Sequence, residues 1–135
     1  MDGTLINTME VYLLEDDEIY SEFIRKALTQ NDYKVKPFYT AEDCLVEVEN
    51  KMPEVIIIDY KLPGMNGIEF FQRIQPMVNE DETKLILLSS LDDGNLVLDF
   101  IQKGIRDYVV KDEQVVSSLI GIIEGEEDDY YLFDD

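Results

Sequence analysis

The chain has 135 residues, 31 of them acidic and 11 basic, with a net charge of -20, no histidine and one cysteine. One ordinary domain fits this length, and an apolar fraction of 45% is enough to fill its core. Such an acidic surface repels nucleic-acid phosphates and anionic lipid, and the lack of histidine removes Ser-His-Asp and Cys-His catalysis together with imidazole metal sites.

The predicted elements alternate along the chain. Residues 11–14 are a short apolar run that ends in Glu15-Asp16-Asp17. Ile19 or Tyr20, then Phe23, Ile24, Ala27 and Leu28, recur at helical spacing. Residues 33–39 read as a strand, and Pro37, which has no N–H to give a ladder, puts it at a sheet edge. Thr40 is a good N-cap, and Ala41, Cys44, Leu45 and Val48 form the apolar stripe of the helix it opens. Residues 55–58 are four β-branched side chains in a row, the pattern of a strand buried on both faces, and they end at Asp59.

A turn spans residues 62–67, Leu-Pro-Gly-Met-Asn-Gly. Ile68, Phe70, Phe71 and Ile74 make a helix that Pro76 stops. Residues 85–88 are a fourth apolar strand, ending in Ser89-Ser90. Leu96, Val97, Phe100 and Ile101 form a helix face, with Gly104 at its C-terminal cap. Residues 107–110 are a fifth strand, ending in Lys111, and Val115, Val116, Leu119, Ile120 and Ile123 give the last helix. Seven of the residues in 124–135 are acidic, so the organisation expected is an N-terminal extension over 1–8, one domain over 9–124 and an acidic, disordered tail over 125–135.

Five strands alternating with five helices imply an α/β fold, a doubly wound parallel five-stranded sheet of (βα)5 type with the flavodoxin-like strand order 2-1-3-4-5. Such sheets bind ligands beyond the carboxyl ends of their strands. At those ends stand Asp16 and Asp17, Asp59, Ser89 and Lys111, contributed by four different strands. Carboxylates crowded into one pocket repel one another, and a hard divalent ion such as Mg2+ removes the conflict. An Asp carboxylate can be a nucleophile toward phosphorus, a Lys ammonium can pair with a phosphoryl oxygen and a Ser hydroxyl can donate to another.

With these pieces in place the sequence resembles a receiver domain of two-component response regulators, the CheY-like family. The resemblance rests on Glu15-Asp16-Asp17 after an apolar strand, Asp59 followed by the 62–67 turn, Ser89 after 85–88, and Lys111 after Asp107-Tyr108-Val109-Val110. It runs from about residue 9 to 124. It implies that Asp59 accepts a phosphoryl group from a histidine kinase or a histidine phosphotransfer protein. Asp16, Asp17, Asp59 and the backbone carbonyl of Lys61 would hold Mg2+. Lys111 would contact the phosphoryl group, Ser89 would swing to it, and Tyr108 would turn inward in step. That would alter the face made by the fourth helix, fifth strand and fifth helix, where an output protein or a second receiver binds.

The expected protein is then a cytoplasmic signalling switch and not an enzyme in its own right. It stands alone and acts through protein contacts, without nucleic acid or membrane. Two alternatives accompany it: a pseudo-receiver serving as a constitutive protein-binding module, and an Mg2+-dependent phosphohydrolase. The chain departs from the family at Asp112, where a proline in a cis peptide is usual. Either a trans Lys111–Asp112 bond with a shifted loop or a strained cis bond is expected, because cis costs ~2.5–4 kcal/mol without proline. Lys61, two residues after Asp59, is placed to influence hydrolysis of a phosphoryl group. Asp2-Gly3-Thr4-Leu5 resembles part of a phosphatase motif but lacks the strand and nucleophile that motif needs. Tyr130-Tyr131-Leu132-Phe133 lies among acids in the tail.

Overall fold

The computed structural model describes residues 8–90 and 93–125. Most of the expected N-terminal extension, with Asp2–Leu5, and most of the tail, with Tyr130–Phe133, lie outside these residues. Strands β1 (Glu10–Leu14), β2 (Lys34–Phe38), β3 (Val55–Asp59), β4 (Lys84–Ser89) and β5 (Asp107–Val110) alternate with helices α1 (Glu18–Thr29), α2 (Ala41–Asn50), α3 (Gly67–Ile74), α4 (Gly94–Gln102) and α5 (Val115–Glu124). All four strand pairings are parallel, and the order is β2-β1-β3-β4-β5. This is the doubly wound sheet that the alternation of runs predicts, with Pro37 on the edge strand.

Period-two alternation divides the apolar residues between two cores. Tyr12, Leu14, Ile56, Ile58 and Leu87 face one side, where Ala41, Cys44, Phe70, Phe71 and Phe100 of α2, α3 and α4 cover them. Val11, Leu13, Val55, Ile57, Ile86 and Leu88 face the other, under Ile24 and Leu28 of α1 and Val115, Leu119 and Ile123 of α5. Each large side chain buried in this way contributes about 1.5–3 kcal/mol of transfer free energy. Because β3 is covered on both faces, all five of its residues are buried, Asp59 included.

Local chemistry sets the helix ends. Thr40 Oγ1 accepts the Asp43 N–H at 3.1 Å, and Asn66 and Glu69 form a reciprocal capping box at the start of α3. Pro76 ends α3 at Ile74, and Gln75–Met77 continues as one 3-10 turn. Gly104, just past the cap residue Lys103, has φ +112°. Ile101, expected on the buried face of α4, is instead exposed, with Val97 and Phe100 taking the core positions. At about 100° per residue Ile101 lies roughly 70° round the helix from the midline between Val97 and Phe100, so it falls on the flank of the buried stripe.

Candidate phosphoryl-acceptor site

The loops after β1, β3, β4 and β5 meet at one rim. Asp59 closes β3, in register with Leu88 of β4, and its residue is only 5% exposed. Behind it the chain returns sharply, with Gly67 N donating to Tyr60 O at 3.1 Å. A Cβ on Gly67 would lie 2.4 Å from the Asp59 carbonyl oxygen, so the turn approaches the strand end more closely than any side chain permits.

Lys111 follows β5. Its amide donates to Ser89 O at 2.8 Å, extending the β4–β5 ladder by one bond. Its ammonium lies 2.8 Å from Glu15 Oε1 and 3.2 Å from Asp59 Oδ1. The Lys111–Asp112 peptide is trans, so the strained cis bond, the second of the two expectations, is not adopted. The turn is closed by Asp112 N on Val110 O at 2.8 Å and by Gln114 N on Asp112 Oδ1 at 2.9 Å.

The three acids after β1 divide their roles differently from the sequence expectation. Glu15, not Asp17, joins the cluster: Glu15, Asp16 and Asp59 each offer a carboxylate oxygen within 4.8 Å of the others. Asp17 does not belong to this group. Its Oδ1 accepts the N–H groups of Ile19 at 3.0 Å and Tyr20 at 3.1 Å, capping α1. The difference in placement has a simple cause. β1 ends at Leu14, so Glu15 is the true strand-end residue, and by Asp17 the chain has already turned into the helix. Glu15 is 1% exposed, and its second oxygen accepts Asp17 N at 3.0 Å.

Electrostatics follows from this crowding. Burial, then the charge of Glu15, push Asp59 up to about 7 against the pull of Lys111, with Asp16 adding to the rise. Lys111 is held above its ordinary value: burial opposes its charge, but the bond to Glu15 and the charges of Asp59 and Glu15 prevail. Glu15 and Asp59 share one ammonium while Asp16 stands within 4.8 Å of both, and such a site favours a further positive charge.

Ser89, at the end of β4, is 2% exposed, and its Oγ has no hydrogen-bond partner among the described residues. A buried hydroxyl without a partner costs about 1–3 kcal/mol, so it is available to a group arriving at the site. Tyr108 stands apart on β5, opposite Leu87 and 46% exposed, with its ring outward. The Lys61 ammonium reaches 3.8 Å from Asp93 Oδ1, while Asp93 Oδ2 accepts the Ser90 amide at 3.2 Å. Of Ile19 and Tyr20, the two alternatives for the first position of the α1 stripe, Tyr20 packs against the core and Ile19 is exposed. The Tyr20 ring lies 4.9 Å from the Lys111 ammonium.

The response regulator receiver domain model matches residues 11–122. The transcriptional regulatory protein AfsQ1 of Streptomyces coelicolor is 32% identical over 102 residues, covering 76% of this chain and 44% of that protein. The chain thus spans less than half the length of this curated relative. Among solved structures, the receiver domain of the Francisella response regulator 1452 superposes with a TM-score of 0.75 at 22% identity, covering 87% of this chain and 94% of that one. The BeF3-activated DrrB receiver domain superposes with a TM-score of 0.73 at 28% identity, covering 87% and 99%. With the 2-1-3-4-5 sheet and the acidic rim at its strand ends, the match over 11–122 leads to one conclusion: the chain belongs to the response regulator receiver domain family of two-component systems.

Proposed function

We propose that Asp59 is the phosphoacceptor of a signalling switch whose receiver body spans about residues 9–124. The observation that carries this reading is the convergence of Glu15, Asp16 and Asp59 within 4.8 Å beneath the single ammonium of Lys111. An oxygen of the ionised Asp59 carboxylate attacks phosphorus of a phosphohistidine on a kinase or phosphotransfer protein. The P–N bond breaks and the leaving imidazole takes up a proton. Lys111 pairs with the transferred group, and the buried Ser89 hydroxyl donates to it.

The donor set suits Mg2+: all-oxygen ligands, two of them buried, with more negative charge than Lys111 offsets. Glu15, Asp16, Asp59 and the backbone carbonyl of Lys61 are the groups we assign to hold it. When bound, Mg2+ neutralises charge on the carboxylates and the phosphoryl oxygens. The BeF3-activated state of the related DrrB domain is consistent with this chemistry, since BeF3 on a carboxylate is a tetrahedral stand-in for a phosphoryl group.

Output is assigned to the face of α4, β5 and α5, where Leu98, Ile101 and Tyr108 are exposed apolar side chains. Engagement of Ser89 by the phosphoryl group draws β4 and its loop inward, and Tyr108 on the neighbouring strand follows. The partner is an output protein or a second receiver, and the setting we assign to such a switch is the cytoplasm.

The test is intact-protein mass spectrometry after incubation with acetyl phosphate, with and without Mg2+, on the wild type and Asp59→Asn. One phosphoryl adduct that needs both Mg2+ and Asp59 is expected. No adduct under any condition would overturn the reading in favour of a constitutive binding module, and multiple turnover on a free phosphate ester would favour a hydrolase.

A further inference from the structure

Lys111 is a flexible side chain asked to hold one position. Its four-carbon stem has several rotamers, and its backbone joins the sheet through its amide on Ser89 O. The turn that follows is an ordinary trans one. An ammonium has three N–H groups. Glu15 Oε1 at 2.8 Å and Asp59 Oδ1 at 3.2 Å account for two. On another side, 4.9 Å away, is the ring of Tyr20.

Tyr20 is itself firmly placed. Its amide is one of the two bound by the Asp17 cap, at 3.1 Å, so the residue that starts α1 also sets where this ring stands. The ring packs at a tilt against Phe23, with centroids 5.9 Å apart. Its hydroxyl is buried and has no hydrogen-bond partner among the described residues. No bond of the phenol oxygen therefore accounts for a tyrosine in this place; the contact with a cation is made by the ring. An aromatic face attracts an ammonium through its quadrupole, more strongly when water is excluded.

We propose that Tyr20 is a positioning residue, whose ring holds the Lys111 ammonium over Asp59 by a cation–π contact. The proposal rests on the phosphoacceptor reading of Asp59 for its functional meaning. It also explains how Lys111 can stay in register with Asp59 although a plain trans turn follows it. Glu15 and the ring both hold the ammonium within reach of Asp59, where a phosphoryl group on that carboxylate would meet it.

The test compares Tyr20→Phe, Tyr20→Leu, Lys111→Met and the Tyr20→Leu/Lys111→Met pair, with thermal melting to establish folding. Two readouts are taken: the acetyl phosphate labelling rate with Mg2+, and the NMR shifts of the Lys111 ε-methylene in unphosphorylated protein. Tyr20→Phe keeps the ring and is expected to keep both the rate and the upfield ring-current shift. Tyr20→Leu is expected to lose the shift and to slow labelling roughly three- to tenfold. In the Lys111→Met background the same change is expected to add nothing, because both substitutions remove one interaction. Wild-type labelling by Tyr20→Leu, or an equal slowing with Lys111 already removed, would overturn the proposal. If the wild type takes no phosphoryl group at all, the phosphoacceptor reading fails, and the Lys111 shift still decides where Tyr20 holds the ammonium: present in wild type and Phe it stands, absent it falls.

Discussion

The Lys111 ammonium sits nearer to Glu15 Oε1, at 2.8 Å, than to Asp59 Oδ1, at 3.2 Å. The lysine is thus shared, and the carboxylate we assign as nucleophile receives the weaker part of it. Asp59, buried beside Glu15, is the group whose ionisation suffers.

That imbalance sets a pH dependence in the absence of divalent cations. Asp59 ionises near ~4 in an unfolded chain and near about 7 in the fold. Between those values the native state holds a proton that the unfolded state has released. Stability from this group is therefore full below ~4 and is lost as pH rises through 7. Asp59→Asn removes the effect. In chelator, the stability of Asp59→Asn relative to wild type should grow by on the order of 3 kcal/mol between pH 4.5 and 8. Urea unfolding at several pH values measures it, and a difference that stays constant across the range refutes the assignment.

Glu15 and Asp17 should separate cleanly. Glu15→Gln and Asp16→Asn remove charge from the cluster and should weaken Mg2+ binding by about tenfold or more, read as a lost Mg2+-dependent rise in melting temperature. Asp17→Ala removes the α1 cap, costing about 1 kcal/mol, yet its Mg2+ dependence should match wild type. Weaker Mg2+ binding in Asp17→Ala without any loss of stability would reverse the two roles.

Lys61 and Asp93 tie the segment after β3 to the segment after β4. The lysine is largely exposed, so the pair is worth at most ~1 kcal/mol. Lys61→Ala should free the mouth of the site to water and speed loss of the Asp59 phosphoryl group by roughly two- to fivefold. The decay of the mass-shifted species over time provides the rate, and an unchanged rate eliminates this role.

Gly67→Ala would place a methyl group against the Asp59 carbonyl oxygen, with Tyr60 Cα 3.0 Å away. Both neighbours are backbone, which yields poorly. We expect a loss of about 1–3 kcal/mol and slower acetyl phosphate labelling, since the residue forced to move carries the nucleophile. Denaturant midpoints and labelling rates report both, and wild-type values in both would mean that the turn relaxes freely.

Most of the fold was legible because its signals are local. Four β-branched residues at 55–58 require a strand covered on both faces, and Thr40, Pro76 and Gly104 mark helix ends by their own chemistry. The rim was legible because each strand run stops at a polar residue. Two features were not. In Glu15-Asp16-Asp17, the expectation of paired aspartates competed with the strong N-cap preference of Asp, and the cap claimed Asp17. That Asp17 stands directly before the helix is a signal that could have settled it. Tyr20 could not be assigned, because its meaning depends on Lys111, which arrives from β5 at the far end of the sequence. Helical periodicity tells which way a side chain faces, not what another strand brings to it.

The two margins of the sheet bear on how the molecule can associate. β2 presents Lys34, Lys36 and Pro37, a strand whose proline gives no N–H and whose lysines repel a like neighbour. β5 is only four residues long and gives way at once to the Lys111 turn. Neither margin is a template for another chain's backbone. Assembly by adding strands is thus blocked at both ends, and the sheet stays finite at five. A partner on the face we assign to output would then meet α4, β5 and α5 through side chains such as Leu98, Ile101 and Tyr108, and not through added backbone ladders.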